Sequence, residues 1–232
     1  TLSSSSAASD VYKRQHIVWD WNGTLLDDLW LCLDAINSVL DSRGMNRVDE
    51  ISYRKIFTFP VIDYYEQLGF NFKNEKFPIV GFLDYYRKYF EKCSLHKNAS
   101  LVLRKNKMNG LSQSILSAGK ESSLYSWVKS HNIENYFNDL IGVENDNADG
   151  KIEAGLNWIS QTGISKHKIL LIGDTIHDSD VAAEMGIDCA LVSIGHVSKE
   201  RLKNVGPPVF DSLLSVLSYV AVSYTHLRAH ET

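Results

Sequence analysis

HIVWDWNGTLLDD, residues 16–28, decides how the rest of the chain is read. Ile17, Val18 and Trp19 form a short apolar run that delivers Asp20, and Asn22-Gly23-Thr24 follow at once. An unbroken apolar run bounded by turn residues is the pattern of a strand buried on both faces, as in a parallel sheet. Ligands of such sheets bind outside the carboxyl ends of the strands, so a carboxylate there, just before a glycine turn, is placed for chemistry. Position 22 raises a question: a neutral amide stands where a second acid is expected.

The same pattern recurs outward from this stretch. Strands are expected at 16–20 (HIVWD), 113–117 (QSILS), 168–172 (KILLI), 189–193 (CALVS) and 208–210, with Ile141-Gly142-Val143 adding a short one. Between them Leu124, Trp127 and Val128 share one helical face, as do Ile152, Leu156 and Ile159, and Val181 with Met185. Gly186 then closes the last of these helices as a C-cap. Strands alternating with helices predict an α/β fold, a Rossmann-like parallel sheet with helices on both faces. Residues 29–97 break the alternation. Leu29, Leu33, Ile36 and Leu40 make one helical stripe, and Phe82, Tyr85, Tyr86, Tyr89 and Phe90 another. This segment is too long for a loop and reads as an inserted all-helical lid with its own small core.

Composition narrows the classes. The chain has 232 residues, 44% hydrophobic and 22% charged, enough for one good core and a smaller unit. A net charge of −4 without a Lys/Arg cluster argues against a nucleic-acid partner. Cys32, Cys93 and Cys189 stand alone, which suits a reducing cytoplasm. Nothing approaches the roughly 18 consecutive apolar residues of a membrane span. SSAASDVYKRQ (5–15) and VSYTHLRAHET (222–232) resemble translated sequencing adaptors. Residues 1–15 and 222–232 are therefore read as non-native tails, with 16–28 and 98–221 as the core.

Four features fall at one sheet edge. The first strand ends in Asp20, and the second in Ser117-Ala118-Gly119. The third, HKILLIGDT, ends in Asp174, with Asp178 shortly after, and Lys151 opens the helix before it. The set DWNGTLLDD, ILSAG, DGKIEAG and IGDTIHDSDVA resembles, in order, the four motifs of the haloacid dehalogenase-like hydrolases. The helical insertion sits where that superfamily carries its cap, and the chain is most similar to the phosphoglycolate phosphatase-like group. The resemblance implies a Mg²⁺-dependent hydrolase of a small phosphorylated metabolite. Asp20 is then the nucleophile that forms an aspartyl-phosphate. Asp20, Asp174 and the backbone carbonyl of Asn22 ligate Mg²⁺, with Asp178 orienting a metal-bound water or Lys151. Ser117 and the N–H of Ala118 hold phosphoryl oxygens, and Lys151 offsets their charge. Gly23 and Thr24 turn the chain so that backbone amides lie beneath the phosphate.

Nearby residues have plainer readings. Asp27 and Asp28 precede an apolar helix and are expected to be N-caps. Asp180 is a first-turn charge favoured by the helix dipole. His177 is equally a solvated turn residue or a catalytic one.

In phosphatases of the superfamily the residue two past the nucleophile is a second Asp, which protonates the leaving oxygen and then deprotonates the attacking water. Asn22 shuttles no proton, which removes roughly 10²–10⁴-fold of rate. Three readings follow. The first is a phosphatase whose acid comes from elsewhere, with Tyr53, Tyr64, Tyr65 or His96 as candidates, or whose substrate leaves without help. The second is phosphorus–carbon bond cleavage of the phosphonoacetaldehyde hydrolase kind, with Lys55 as its Schiff-base lysine. The third is a catalytically impaired phospholigand-binding protein. The first is preferred, because nucleophile, metal and phosphate residues are all present. KIFTFPVIDYY, residues 55–65, is the stretch expected to reach over the site.

Overall fold

In a computed structural model, which describes residues 14–225, Ile17, Val18 and Trp19 are fully buried at the centre of a parallel sheet. The chain runs β1 (His16–Trp19), β2 (Leu26–Asp27), α1 (Leu29–Ser42), α2 (Glu50–Ile56), α3 (Val61–Gln67) and α4 (Val80–Tyr89). It continues through β3 (Ser94–Leu95), α5 (Ala99–Met108), β4 (Ser112–Lys120), α6 (Glu121–Ser130), β5 (Asp139–Val143) and α7 (Lys151–Gln161). It then forms β6 (Ile169–Gly173), α8 (Ile176–Met185), β7 (Asp188–Val192), α9 (Lys199–Lys203), β8 (Val209–Phe210) and α10 (Leu213–Thr225).

The main sheet has the order β5-β4-β1-β6-β7-β8, with parallel pairing throughout. After β1 the chain builds the β4–β5 side, then crosses to β6 on the other flank. The order therefore reverses beside β1, and a crevice opens outside its carboxyl end. Each expected strand falls on a strand of this sheet. One end differs: β4 does not stop at Ser117-Ala118-Gly119 but runs on to Lys120. The pairs Leu116↔Ile141 and Lys120↔Val143 set four residue steps on β4 against two on β5. This bulge lifts residues 117–119 out of the ladder while pairing resumes beyond them.

β2 and β3 form an antiparallel ribbon, Leu26↔Leu95 and Asp27↔Ser94, which the sequence did not announce. It ties together the entry and exit of the inserted helices α1–α4. The core expected of the lid from its stripes does form, but it is continuous with residues of the sheet unit. Ile36, Leu40, Tyr53 and Tyr64 share one buried cluster with Leu191, Val197 and Leu202, while Tyr86 and Phe90 join the cluster of Trp19 and Ile115. Phe90 stacks on Trp127 with ring centroids 4.1 Å apart. The insertion is thus packed down on the sheet edge by its aromatics.

α6 buries Leu124 and Val128 with Trp127 partly buried, α8 buries Val181 and Met185, and Gly186, at φ 70, closes α8. α7 differs. Leu156 is 39% exposed, and the buried positions are Lys151 and Gly155. A Cβ at Gly155 would come within 2.7 Å of Met185 Sδ, so close packing of α7 on α8 fixes which face turns inward. Among the described residues no helix is long and apolar enough to cross a membrane. The adaptor-like tails lie mostly outside the described residues. Gln15, at the inner edge of the first, pairs through its backbone with Lys168 and Ser112.

Candidate active site

Asp20 follows the last residue of β1, and its N–H still donates to Ile172 O at 2.8 Å, so the ladder fixes where its carboxylate emerges. Lys151, the first residue of α7, is 3% exposed. Its ammonium donates to Asp20 Oδ1 at 2.6 Å and to Asp178 Oδ1 at 2.5 Å. Burial opposes the charge on Lys151, and the carboxylates of Asp178 and Asp20 outweigh it, holding the lysine above its ordinary pKa. A lysine this deep is a charge placed against specific partners.

Asp178 is held by the start of its helix. Thr175 caps α8, donating its N–H at 3.0 Å and its hydroxyl at 2.7 Å to Asp178 Oδ2. Burial alone would raise the carboxyl of Asp178, but Lys151 and Thr175 keep it below the usual carboxylate range. This capping box leaves Oδ1 free to meet Lys151. Asp174, just past β6, is fully buried; Oδ2 accepts the His196 N–H at 2.6 Å, and Oδ1 lies 3.0 Å from the Thr24 hydroxyl. Burial pushes its pKa up to about 6 and also raises that of Asp20, with Lys151 working against the latter.

The loop after Asp20 differs from expectation. Gly23, at φ +75, does make the tight turn, and a Cβ there would lie 2.4 Å from Asp174 Oδ2. Its amide, however, is engaged inside the loop, donating to Leu26 O and to Asp28 Oδ1, each at 2.9 Å. The Thr24 amide points to Trp21 O at 3.4 Å. These two amides are therefore spent inside the loop, not turned toward a phosphate, and Thr24 instead brings its hydroxyl between Asp174 and Asp20, 3.3 Å from the latter.

Asp28 is the larger correction. It occupies the N-cap position of α1 but makes no side-chain cap bond. Its carboxylate, fully buried, turns the other way and accepts from Asn22 Nδ2 at 2.8 Å and from Tyr86 Oη at 2.7 Å. His196 Nε2 lies 3.2 Å from Asp28 Oδ1, and His196 Nδ1 lies 3.0 Å from the Tyr53 hydroxyl. Burial would neutralise both, yet their mutual charge holds Asp28 below the carboxylate range and lifts His196 to about 9. The two form a buried ion pair at neutral pH. Neither Asp28 nor His196 was assigned a site role from sequence. His196 follows Gly195 just past β7, at the same strand-end edge that marked Asp20 and Asp174, and that rule would have found it. Asp27, by contrast, is exposed.

Ser117 is fully buried, with Oγ accepting the Gly119 N–H at 3.0 Å, while Ala118 and Gly119 line a cavity in front of Asp20. Phe57, Phe59, Val61, Tyr64 and Tyr65 form part of the opposite wall, so residues 55–65 do reach over the site. Lys55 is exposed and not among the lining residues, which removes the observation a Schiff base would need. His177 lines the cavity half-buried, its ring 4.7 Å from that of Phe59.

The donor set suits a hard divalent cation. Carboxylate oxygens of Asp20, Asp174 and Asp178, all buried, lie within 4.8 Å of one another, and among the described residues Lys151 is the one ammonium bonded to them. Even with the charge of His196 acting on Asp174, three buried carboxylates beside one lysine are short of positive charge, and oxygen-only donors match Mg²⁺. Gly195 leaves the room Asp174 occupies: a Cβ there would collide with Asp174 Oδ2.

A profile of the haloacid dehalogenase-like hydrolase family matches residues 17–192. The chain is also similar to the tyrosine-protein kinase PtkA of Mycobacterium tuberculosis, 22% identical over 191 residues, which are 82% of this chain and 66% of that protein. It thus spans just under two thirds of the length of that curated relative. Among solved structures, a haloacid dehalogenase-like family hydrolase from Streptococcus pneumoniae superimposes with a TM-score of 0.74 at 20% identity, covering 89% of this chain and 98% of that one. A predicted phosphatase from Clostridium acetobutylicum gives 0.73 at 18% identity, covering 90% and 98%. At these identities the likeness is one of fold.

Proposed function

The chain belongs to the haloacid dehalogenase-like hydrolases, and on that premise we propose that it is a Mg²⁺-dependent phosphatase of a small phosphorylated metabolite. The observation that carries this reading is the clamp of Lys151 on Asp20 and Asp178 at 2.6 and 2.5 Å, beside Asp174 and at the floor of a cavity. Asp20 is the nucleophile. Lys151 orients it and offsets phosphoryl charge, and Ala118 with Ser117 and Gly119 flanks the transferring group. Asp20, Asp174 and the backbone carbonyl of Asn22 would hold Mg²⁺, with Asp178 steadying the arrangement through Lys151. When bound, the ion supplies the charge neutralisation that attack of one anion on another requires. Residues 29–97 act as the cap, and 16–28 with 98–221 as the core. The three cysteines are free, which favours a cytoplasmic setting.

Release of inorganic phosphate from a panel of small phosphomonoesters, with and without Mg²⁺, tests this. Wild type should turn over at least one member, and Asp20→Asn should release none. Turnover that survives Asp20→Asn would falsify the mechanism.

A further inference from the structure

We propose that the site acts on the phosphate monoester of an aromatic alcohol, whose oxygen departs as an aryloxide without receiving a proton. The proposal rests on the phosphatase reading above and narrows it. Two independent observations carry it: the state of Asn22, and the wall of the cavity.

Asn22 stands where a proton donor to the leaving oxygen is needed, and the structure fixes its orientation. Nδ2 donates to Asp28 Oδ2 and to Tyr86 Oη, both at 2.8 Å. With both amide hydrogens engaged, Asn22 is left with Oδ1, which would lie 3.8 Å from a Cβ on Gly119 and hence faces the phosphate-side loop. An acceptor there can align a water but cannot protonate a departing alkoxide. An alkoxide, with basicity near that of hydroxide (water ionises at about 15.7), leaves slowly without that proton. A phenol ionises near 10, so its oxygen leaves readily as the anion.

The cavity wall fits the same class. The insertion lines it with Phe57, Phe59, Phe77, Phe82, Tyr64 and Tyr86, among other apolar side chains. Its one charged contribution is Arg87, which is paired with Asp146 at 2.9 Å. Lys120, from the core, is exposed at the rim. No buried, uncommitted cation among the described lining residues is offered to a carboxylate such as that of phosphoglycolate. The cavity measures about 200 Å³, and one of about 150 Å³ accepts a benzene ring. Tyr64, which lines it and is 1% exposed, has a hydroxyl with no hydrogen-bond partner among the described residues, so a polar ring substituent would satisfy it.

The steps balance. An Asp20 carboxylate oxygen bonds to phosphorus while the phosphorus–oxygen bond to the ring breaks, and its electron pair leaves on the aryloxide, which takes a proton from bulk water. Water then attacks the phosphorus of the aspartyl-phosphate, the bond to Asp20 breaks, the carboxylate returns, and the proton of the water passes to solvent. Without a base at position 22 the second step is the slower one.

Phenyl phosphate, glycerol phosphate and phosphoglycolate, assayed with wild type, Asn22→Asp, Phe59→Ala and Asp20→Asn, provide the test. Wild type should favour phenyl phosphate over both alkyl esters by at least about 100-fold in kcat/KM, with a burst of phenol close to one per site. Asn22→Asp should narrow that ratio at least tenfold by accelerating the alkyl esters. Phe59→Ala, at a half-buried position, should raise KM for phenyl phosphate severalfold. Equal turnover of phosphoglycolate and phenyl phosphate by wild type overturns the aromatic assignment and leaves the phosphatase standing. Full turnover by Asp20→Asn, or none of any ester by wild type, overturns both.

Discussion

Asn22 and Asp28, six residues apart, are joined by a 2.8 Å hydrogen bond in which the amide donates and the buried carboxylate accepts. The carboxylate lies beside the loop that follows Asp20, in a position from which it orients the side chain of Asn22. Tyr86 and Tyr53 connect this pair and His196 to the inserted helices, so the lid and the floor of the site share one hydrogen-bond network.

Replacing Asn22 by Asp places two carboxylates in contact, and one of them must keep its proton. A carboxyl whose folded pKa is raised stabilises the native state less as pH rises from its unfolded value toward its folded one. Asn22→Asp is therefore expected to melt near wild type at about pH 4.5 and several degrees below it at about pH 8. Equal melting temperatures at the higher pH would show that the 2.8 Å contact is not maintained.

His196 gives the opposite profile. Its pKa rises from 6.5 to about 9 in the folded chain, because Asp28 prevails over burial. The stabilisation is complete below 6.5 and disappears as pH rises through about 9. It amounts to roughly 3 kcal/mol at most. Thermal denaturation of wild type and His196→Gln should show a gap that closes between about pH 6.5 and about pH 9.5. A constant gap would count against the ion pair.

Lys151→Met removes the ammonium bonded between Asp20 and Asp178. Leaving such charges unpaired costs about 3–5 kcal/mol, so urea unfolding should shift by a large part of that. Phosphate release should fall at least about 100-fold. A stable, active Lys151→Met protein would mean that the clamp is dispensable.

Mg²⁺ should stabilise the folded chain by relieving Asp20 and Asp174, both raised by burial. At about 100-fold excess over Kd the gain is roughly 2.7 kcal/mol, a rise of several degrees in Tm. Asp174→Asn should abolish the rise. A shift of the same size in that variant would place the ion elsewhere.

The sheet and the residues at its carboxyl edge were legible because their signals are local. A buried strand is a contiguous apolar run, and Asp20, Ser117 and Asp174 each sit at the end of one. The ribbon of β2 and β3 was not legible, since two-residue strands carry no periodicity. Leu156 was misplaced because spacing identifies a helix face but not which neighbour covers it; Gly155 and Met185 settle that by contact.

By itself, then, the sequence determined the order of strands and helices, and it singled out Asp20, Lys151, Asp174 and Asp178, which the fold brings together. Only the tertiary structure decided the direction of Asp28. An acid before a helix has the same local signature whether it caps that helix or turns inward, and the choice fell to His196 and Tyr86, brought to it from distant segments by the packing of lid on sheet.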